Sequence, residues 1–260
     1  MKKRTPPDEA ALGMLLRELK LPAFSAQHEE VALKAEKSGW SHPKYLRQLT
    51  ELELAQRRTR RIERLLKESK LPVEKALSTI AQDKLPVKVR RQLPALCEGG
   101  FVERAENVLV FGLPGRGKTH LVSAVGHELV QRGYAVLFAP AVMLVQRLLA
   151  AKKKLELEVE LKRLDGFDAV IIDDIGYIQQ DREEMEVLFT FLAERYERRS
   201  VLITSNLVFS QWDKIFKDPM TTAAAIDRVV HHAQIIEMTG PSHRDEEAKA
   251  RAAATKKEDA

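Results

Sequence analysis

The segment Gly112-Leu113-Pro114-Gly115-Arg116-Gly117-Lys118-Thr119 fits G-x-x-x-x-G-K-[ST] at every fixed position. Glycines at 112, 115 and 117 let the backbone turn tightly and bring its N–H groups against phosphate oxygens. A helix starting near Lys118 would add its free N-terminal amides and dipole to the same anion. Lys118 supplies a cation for the β- and γ-phosphates of a nucleoside triphosphate, and the Thr119 hydroxyl is placed to ligate Mg²⁺. Leu113, Pro114, Arg116 and the following His120 complete the stretch expected to line a bound nucleotide.

Ala169-Val170-Ile171-Ile172-Asp173-Asp174 is an apolar run ending in two carboxylates. In open parallel sheets, ligands bind at the carboxyl ends of strands. Asp173 is therefore expected to hold Mg²⁺, directly or through water. Asp174 could orient or deprotonate the attacking water. Val201 to Asn206 is a second apolar run with a polar end. Its Asn206 either bonds the γ-phosphate or the lytic water, or simply ends a strand in a turn. Phosphoryl transfer also benefits from an arginine, often a neighbouring subunit's. Arg228 is the candidate, with Arg244 a second cation after the last strand; Arg195, Arg198 and Arg199 read as surface charge.

The elements that must position these groups follow from periodicity. From Asn107 onward, five β-rich runs (108–111, 135–138, 169–172, 201–204 and 234–238) alternate with helical segments at about 117–132, 140–151, 181–198 and 220–232. That alternation predicts an α/β fold, a five-stranded parallel sheet buried on both faces by helices. Ahead of it, helical spacing predicts three helices, over about 10–20, 23–37 and 43–69. The expected organisation is a helical N-terminal domain at 1–72, a core at 73–241 that begins with a helical linker at 73–100, and a loose polar tail at 242–260.

Charge is uneven. Residues 1–91 carry 21 Lys and Arg against 12 Asp and Glu, a net +9, while the remainder is −4 within a total of +5. A basic front suggests contact with a polyanion. Arg57, Arg58, Arg61 and Arg64 on the third helix, and Lys152, Lys153 and Lys154 after the second core helix, are the DNA-contact candidates. One cysteine, Cys97, excludes an intrachain disulfide and fits a reducing cytoplasm. No apolar run is long enough to span a bilayer. The seven histidines show no metal-ligand spacing.

Taken in order, the phosphate loop, Asp173-Asp174 with Ile175-Gly176-Tyr177 behind, Thr204-Ser205-Asn206, and Asp227-Arg228 with His231-His232, Gly240-Pro241-Ser242 and Arg244 resemble the IstB transposition helper ATPases. These are AAA+ proteins related to the DnaC and DnaI helicase loaders. Leu19-Lys20-Leu21-Pro22-Ala23-Phe24 and Arg90-Arg91-Gln92-Leu93-Pro94 are similar to the same group. The resemblance implies an AAA+ core with the phosphate-loop strand in the middle of the sheet. It implies Mg²⁺-dependent ATP hydrolysis, with Asp173 as metal acid, Asp174 as catalytic acid, Asn206 as γ-phosphate sensor, Arg228 acting on a neighbour's ATP and Arg244 as a second sensor. It further implies homo-oligomers joined through ATP on double-stranded DNA and a partner transposase. A DnaC/DnaI-type helicase loader is the alternative, and the ATPase residues cannot separate the two. Asp174 departs from the Glu that most AAA+ proteins carry.

Overall fold

The computed structural model describes residues 7–177, 182–212 and 219–240. The chain divides into two compact units, Met1–Arg64 and Leu65–Ala260.

The first unit holds α1 (Pro7–Glu18), α2 (Pro22–Lys37) and most of α3 (His42–Ser69), which runs on past the unit boundary. Pro22 opens α2, where a missing N–H costs nothing. Leu16, Ala23, Val31, Ala35 and Leu49 are buried. Glu53 of α3 is buried with them, and its two oxygens are both engaged. Oε2 accepts the Ala23 N–H (2.8 Å), one of the unpaired amides at the start of α2, and Oε1 accepts from Arg57 Nε (2.8 Å). Burial alone would raise the Glu53 carboxyl, but the Arg57 hydrogen bond and charge and the amides of Ala23 and Phe24 outweigh it and hold the group below its ordinary range.

In the second unit, α4 (Val87–Glu98) and the short α5 (Gly100–Glu103) lead into the sheet. Its strands are β1 (Asn107–Phe111), β2 (Val136–Pro140), β3 (Ala169–Asp173), β4 (Ser200–Ser205) and β5 (Ala233–Glu237). Between them run α6 (Lys118–Gln131), α7 (Ala141–Lys153), α8 (Leu157–Asp165), α9 (Arg182–Arg195) and α10 (Pro219–Val230). All four pairings are parallel, in the order β2-β3-β4-β1-β5. The phosphate-loop strand is therefore internal but not central: β4 holds the middle and β1 lies between β4 and β5. The five-stranded parallel sheet expected from the alternating pattern is present, and β1 and β4 are buried along their whole length.

The stretch after α7, for which the sequence suggested no element, is a helix, α8, whose Leu157 and Leu161 pack against the core while Leu164 is fully buried. One sequence reading is corrected here. Arg195 is not surface charge. It is 2% exposed, and its guanidinium donates to the carbonyls of Leu164 (3.0 Å), Phe167 (3.0 Å) and Ser200 (3.0 Å). Those carbonyls end α8 and begin β4, so Arg195 closes backbone groups that the strand starts leave unpaired. Burial lowers its pKa to about 10, so it stays charged at neutral pH.

Candidate active site

The turn between β1 and α6 is built around glycines for two different reasons. At Gly112, a Cβ would stand 2.5 Å from the Met238 carbonyl oxygen, so no larger residue fits the close approach of the chain beyond β5. At Gly117, φ is +79°, a left-handed conformation, and this residue caps the N-terminus of α6. Lys118 follows as the first residue of α6 and is buried at 5% exposure. Its ammonium donates to the carbonyls of Gly112 (2.8 Å) and Leu113 (3.2 Å), which folds the side chain back across the loop.

From across the sheet, the end of β3 brings Asp173. Its Oδ2 accepts from Thr119 Oγ1 (3.0 Å) and its Oδ1 from Thr204 Oγ1 (2.7 Å). Thr204 Oγ1 also accepts the Asp174 N–H (2.8 Å). The fully buried Thr204 hydroxyl therefore spans both acids, fixing one by its oxygen and the other by its backbone. The sequence reading treated Thr204 only as part of a strand end; a hydroxyl in an otherwise apolar run was the available signal. Asp174 has φ +58°, a left-handed conformation that aspartate tolerates better than most residues. Asn206 directly follows β4, whose Ser205 carbonyl accepts the Gly112 N–H (3.2 Å). Asn206 Oδ1 is buried with no hydrogen-bond partner.

Gly115, Arg116, Gly117, Lys118, Thr119, His120 and Asp174 line a pocket of about 370 Å³ together with Pro114. The opposite wall was not foreseen. Lys75, Thr79, Ile80, Ala81, Lys84 and Leu85, read from sequence as part of a connecting linker, form it. His120 Nε2 lies 3.0 Å from Thr79 Oγ1 and 3.3 Å from the Ala76 carbonyl, so this wall is tied to the helix that carries the loop. A proline-punctuated stretch gives no sequence signal for a pocket wall, because the apolar side chains it offers serve equally well for packing.

Arg228 stands apart from this group. The carbonyl of its neighbour Val229 accepts from Asn107 Nδ2 (3.0 Å), which places Arg228 beside the start of β1. The loop leaves the other end of that five-residue strand, about 15 Å away. The Arg228 guanidinium sits 4.5 Å over the Phe189 ring, and its Nη1 is buried with no partner. Arg244 and the 242–260 tail lie outside the described residues.

Among the DNA-contact candidates, Arg57 is committed within its own unit, to Glu53 and, through Nη2, to the Lys20 carbonyl (2.8 Å). Lys152 pairs with Glu186 (2.9 Å). Arg58, Arg61, Arg64, Lys153 and Lys154 are exposed.

The donor chemistry suits a magnesium nucleotide. Thr119 and Asp173 offer adjacent hard oxygens, a hydroxyl and a carboxylate, of the kind Mg²⁺ takes. The buried Lys118 ammonium, a loop that admits only glycine at Gly112 and a helix N-terminus together suit polyphosphate.

Comparison with known proteins agrees with this chemistry. The family of IstB-like ATP binding proteins matches residues 14–252. An insertion-sequence ATP-binding protein of Sinorhizobium fredii is 43% identical over 238 residues, covering 91% of this chain and 80% of that one. The insertion sequence IS21 ATP-binding protein of Pseudomonas aeruginosa is 36% identical over 236 residues, 90% of this chain and 88% of its own. Among solved structures, DnaI superposes with a TM-score of 0.55 at 22% identity, covering 66% of this chain and 96% of that chain. The replication initiator DnaA, solved with AMPPCP and single-stranded DNA, gives 0.56 at 18% identity; the match covers 66% of this chain and only 52% of that chain. Those two likenesses establish the AAA+ P-loop fold.

Proposed function

The chain belongs to the family of IstB-like ATP binding proteins, and from that premise we propose that it is a Mg²⁺-dependent ATPase of an insertion sequence. In this reading, copies assemble through ATP on double-stranded DNA and bring a partner transposase to it. ATP binding is the family's shared property; hydrolysis, the metal, the DNA, the oligomer and the transposase are the proposal.

The geometry of the site supports these assignments. Loop amides and the start of α6 take the phosphates, and Lys118 swings from the loop carbonyls to their oxygens. Thr119 and Asp173 would hold Mg²⁺, whose chemistry when bound would be neutralisation of phosphate charge. Asp174, fixed by Thr204, orients the attacking water. It is one methylene shorter than glutamate, so turnover is expected to be slow. Asn206 meets the γ-phosphate end.

The observation that carries assembly is the position of Arg228. It lies at the far end of β1 from its own loop and holds a buried, unpartnered N–H group. That position, remote from its own loop, supports a neighbour's γ-phosphate as its partner. The exposed arginines of α3 give the oligomer a surface suited to DNA phosphates.

Electron microscopy of the full chain with duplex DNA tests this reading. Ordered assemblies should form with ATP and disappear with AMP or in an Arg228→Ala variant. Monomers without DNA in both nucleotides would refute it.

A further inference from the structure

Gly176 lies two residues past Asp174, in the short 3-10 turn Ile175–Tyr177. It is not among the residues with positive φ, so its backbone conformation is open to any amino acid. Space is what excludes a side chain there. A Cβ on Gly176 would collide with Asn206 Oδ1 and stand 3.3 Å from Leu207 Cγ. The Asn206 carboxamide thus occupies the volume that any other residue at 176 would fill.

That placement carries a cost. The Asn206 oxygen is buried against the glycine with no hydrogen-bond partner. Leaving such an acceptor unpaired is unfavourable, because its desolvation goes uncompensated. With the oxygen turned onto Gly176, the polar group that the carboxamide has left is its Nδ2, a donor, which suits a phosphate oxygen. The same strand ends are also locked one step earlier, where the Thr204 hydroxyl spans Asp173 and the Asp174 N–H.

We propose that Gly176 is a positioning residue for ATP hydrolysis: its missing side chain is the seat that fixes the Asn206 carboxamide, oxygen against the glycine and amide nitrogen left for the nucleotide. This rests on the reading that Asn206 meets the γ-phosphate end. The seat and the Thr204 bridge make the ends of β3 and β4 one unit, so Asp174 and Asn206 keep a fixed spacing. Displacing such a group by about 1 Å can cost on the order of 100-fold in rate.

A double-mutant cycle on the full chain tests the seat, using Gly176→Ala, Asn206→Ala and the two combined. The readouts are kcat and KM for Mg-ATP with duplex DNA present, affinity for a fluorescent ATP analogue, and Tm. Gly176→Ala should lower kcat by roughly 10- to 100-fold. Its nucleotide affinity should stay within about threefold of the parent, because the loop and Lys118 are untouched. In the Asn206→Ala background the same substitution should cost nothing further, since the colliding side chain is gone, and the double variant should melt above Gly176→Ala alone. If Gly176→Ala does not fold, the double variant should. Three results would overturn the seat: parental kcat in Gly176→Ala, an equal loss in both backgrounds, or a double variant that also fails to fold. Parental kcat in Asn206→Ala would instead remove the role given to Asn206 itself.

Discussion

At the start of the strands, Asn107 Oδ1 accepts the Val201 N–H (3.0 Å) and its Nδ2 donates to Val229. Arg195 is spread over four carbonyls, and the Asp168 carboxylate accepts both the Ala135 N–H (2.9 Å) and Arg199 Nη1 (2.6 Å). At the finish of the strands, Asp174 is held in a left-handed conformation, Asn206 keeps an unpartnered oxygen and the Lys118 ammonium rests on loop carbonyls. One sheet thus presents polar groups of two kinds. Those at the start are mostly matched within the chain and contribute to architecture. At the finish, the Asp174 backbone is strained and Asn206 Oδ1 is unmatched, which folding alone does not favour and a ligand would correct. Arg195 Nε and Arg228 Nη1 are exceptions at the starting end, each buried without a partner, so it is the place of Arg228 beside the start of β1, not its unpartnered N–H, that sets it apart.

Substitutions should divide along this line. Arg195→Ala should have the largest effect on stability, about 3 kcal/mol, because it leaves several buried carbonyls unpaired. For a unit of this size, that is a fall in Tm of roughly 6–12 °C, read by calorimetry. Nucleotide affinity of the folded fraction should not change. Asn107→Ala should cost about 2 kcal/mol with the same lack of effect on the site. Asp174→Gly should show the reverse. Stability should change by less than about 1 kcal/mol, since glycine accepts positive φ. ATP turnover should fall by roughly 100-fold or more. A large loss of stability in Asp174→Gly, or of nucleotide affinity in Arg195→Ala, would break the comparison.

The smallest effect is expected in the N-terminal unit. Glu53 has a depressed folded-state pKa, so its contribution to stability is present above the unfolded carboxylate value and is lost as pH falls through the folded one. Acid titration followed by circular dichroism should show α2 and α3 loosening over that range, and Glu53→Gln should flatten the response.

Strand and helix order was legible because buried parallel strands are apolar throughout, and the phosphate loop because its chemistry demands fixed residue types. What escaped was set by tertiary contacts. Arg195 looks like its exposed neighbours Arg198 and Arg199 until the end of α8 and the starts of β3 and β4 fold over it. The charged residues of α8 mask Leu157, Leu161 and Leu164. Thr204 and Gly176 stood in the sequence only as members of the blocks Thr204-Ser205-Asn206 and Ile175-Gly176-Tyr177, with no role of their own; each matters through a partner on another strand end. The pocket wall at 75–85 is assembled by the turn of the chain back onto His120. For Arg228, spacing suggested the residue but not its location at the opposite end of β1, and that location makes action on a neighbour the natural reading.

Every proposed role depends on a magnesium triphosphate held where β1 turns into α6. Titration of a fluorescent ATP analogue into the parent and into Lys118→Ala measures that directly. Removing the buried ammonium should weaken binding by roughly 100-fold, equivalent to about 3 kcal/mol, with the fold intact by circular dichroism. Equal affinity in the two proteins would contradict it.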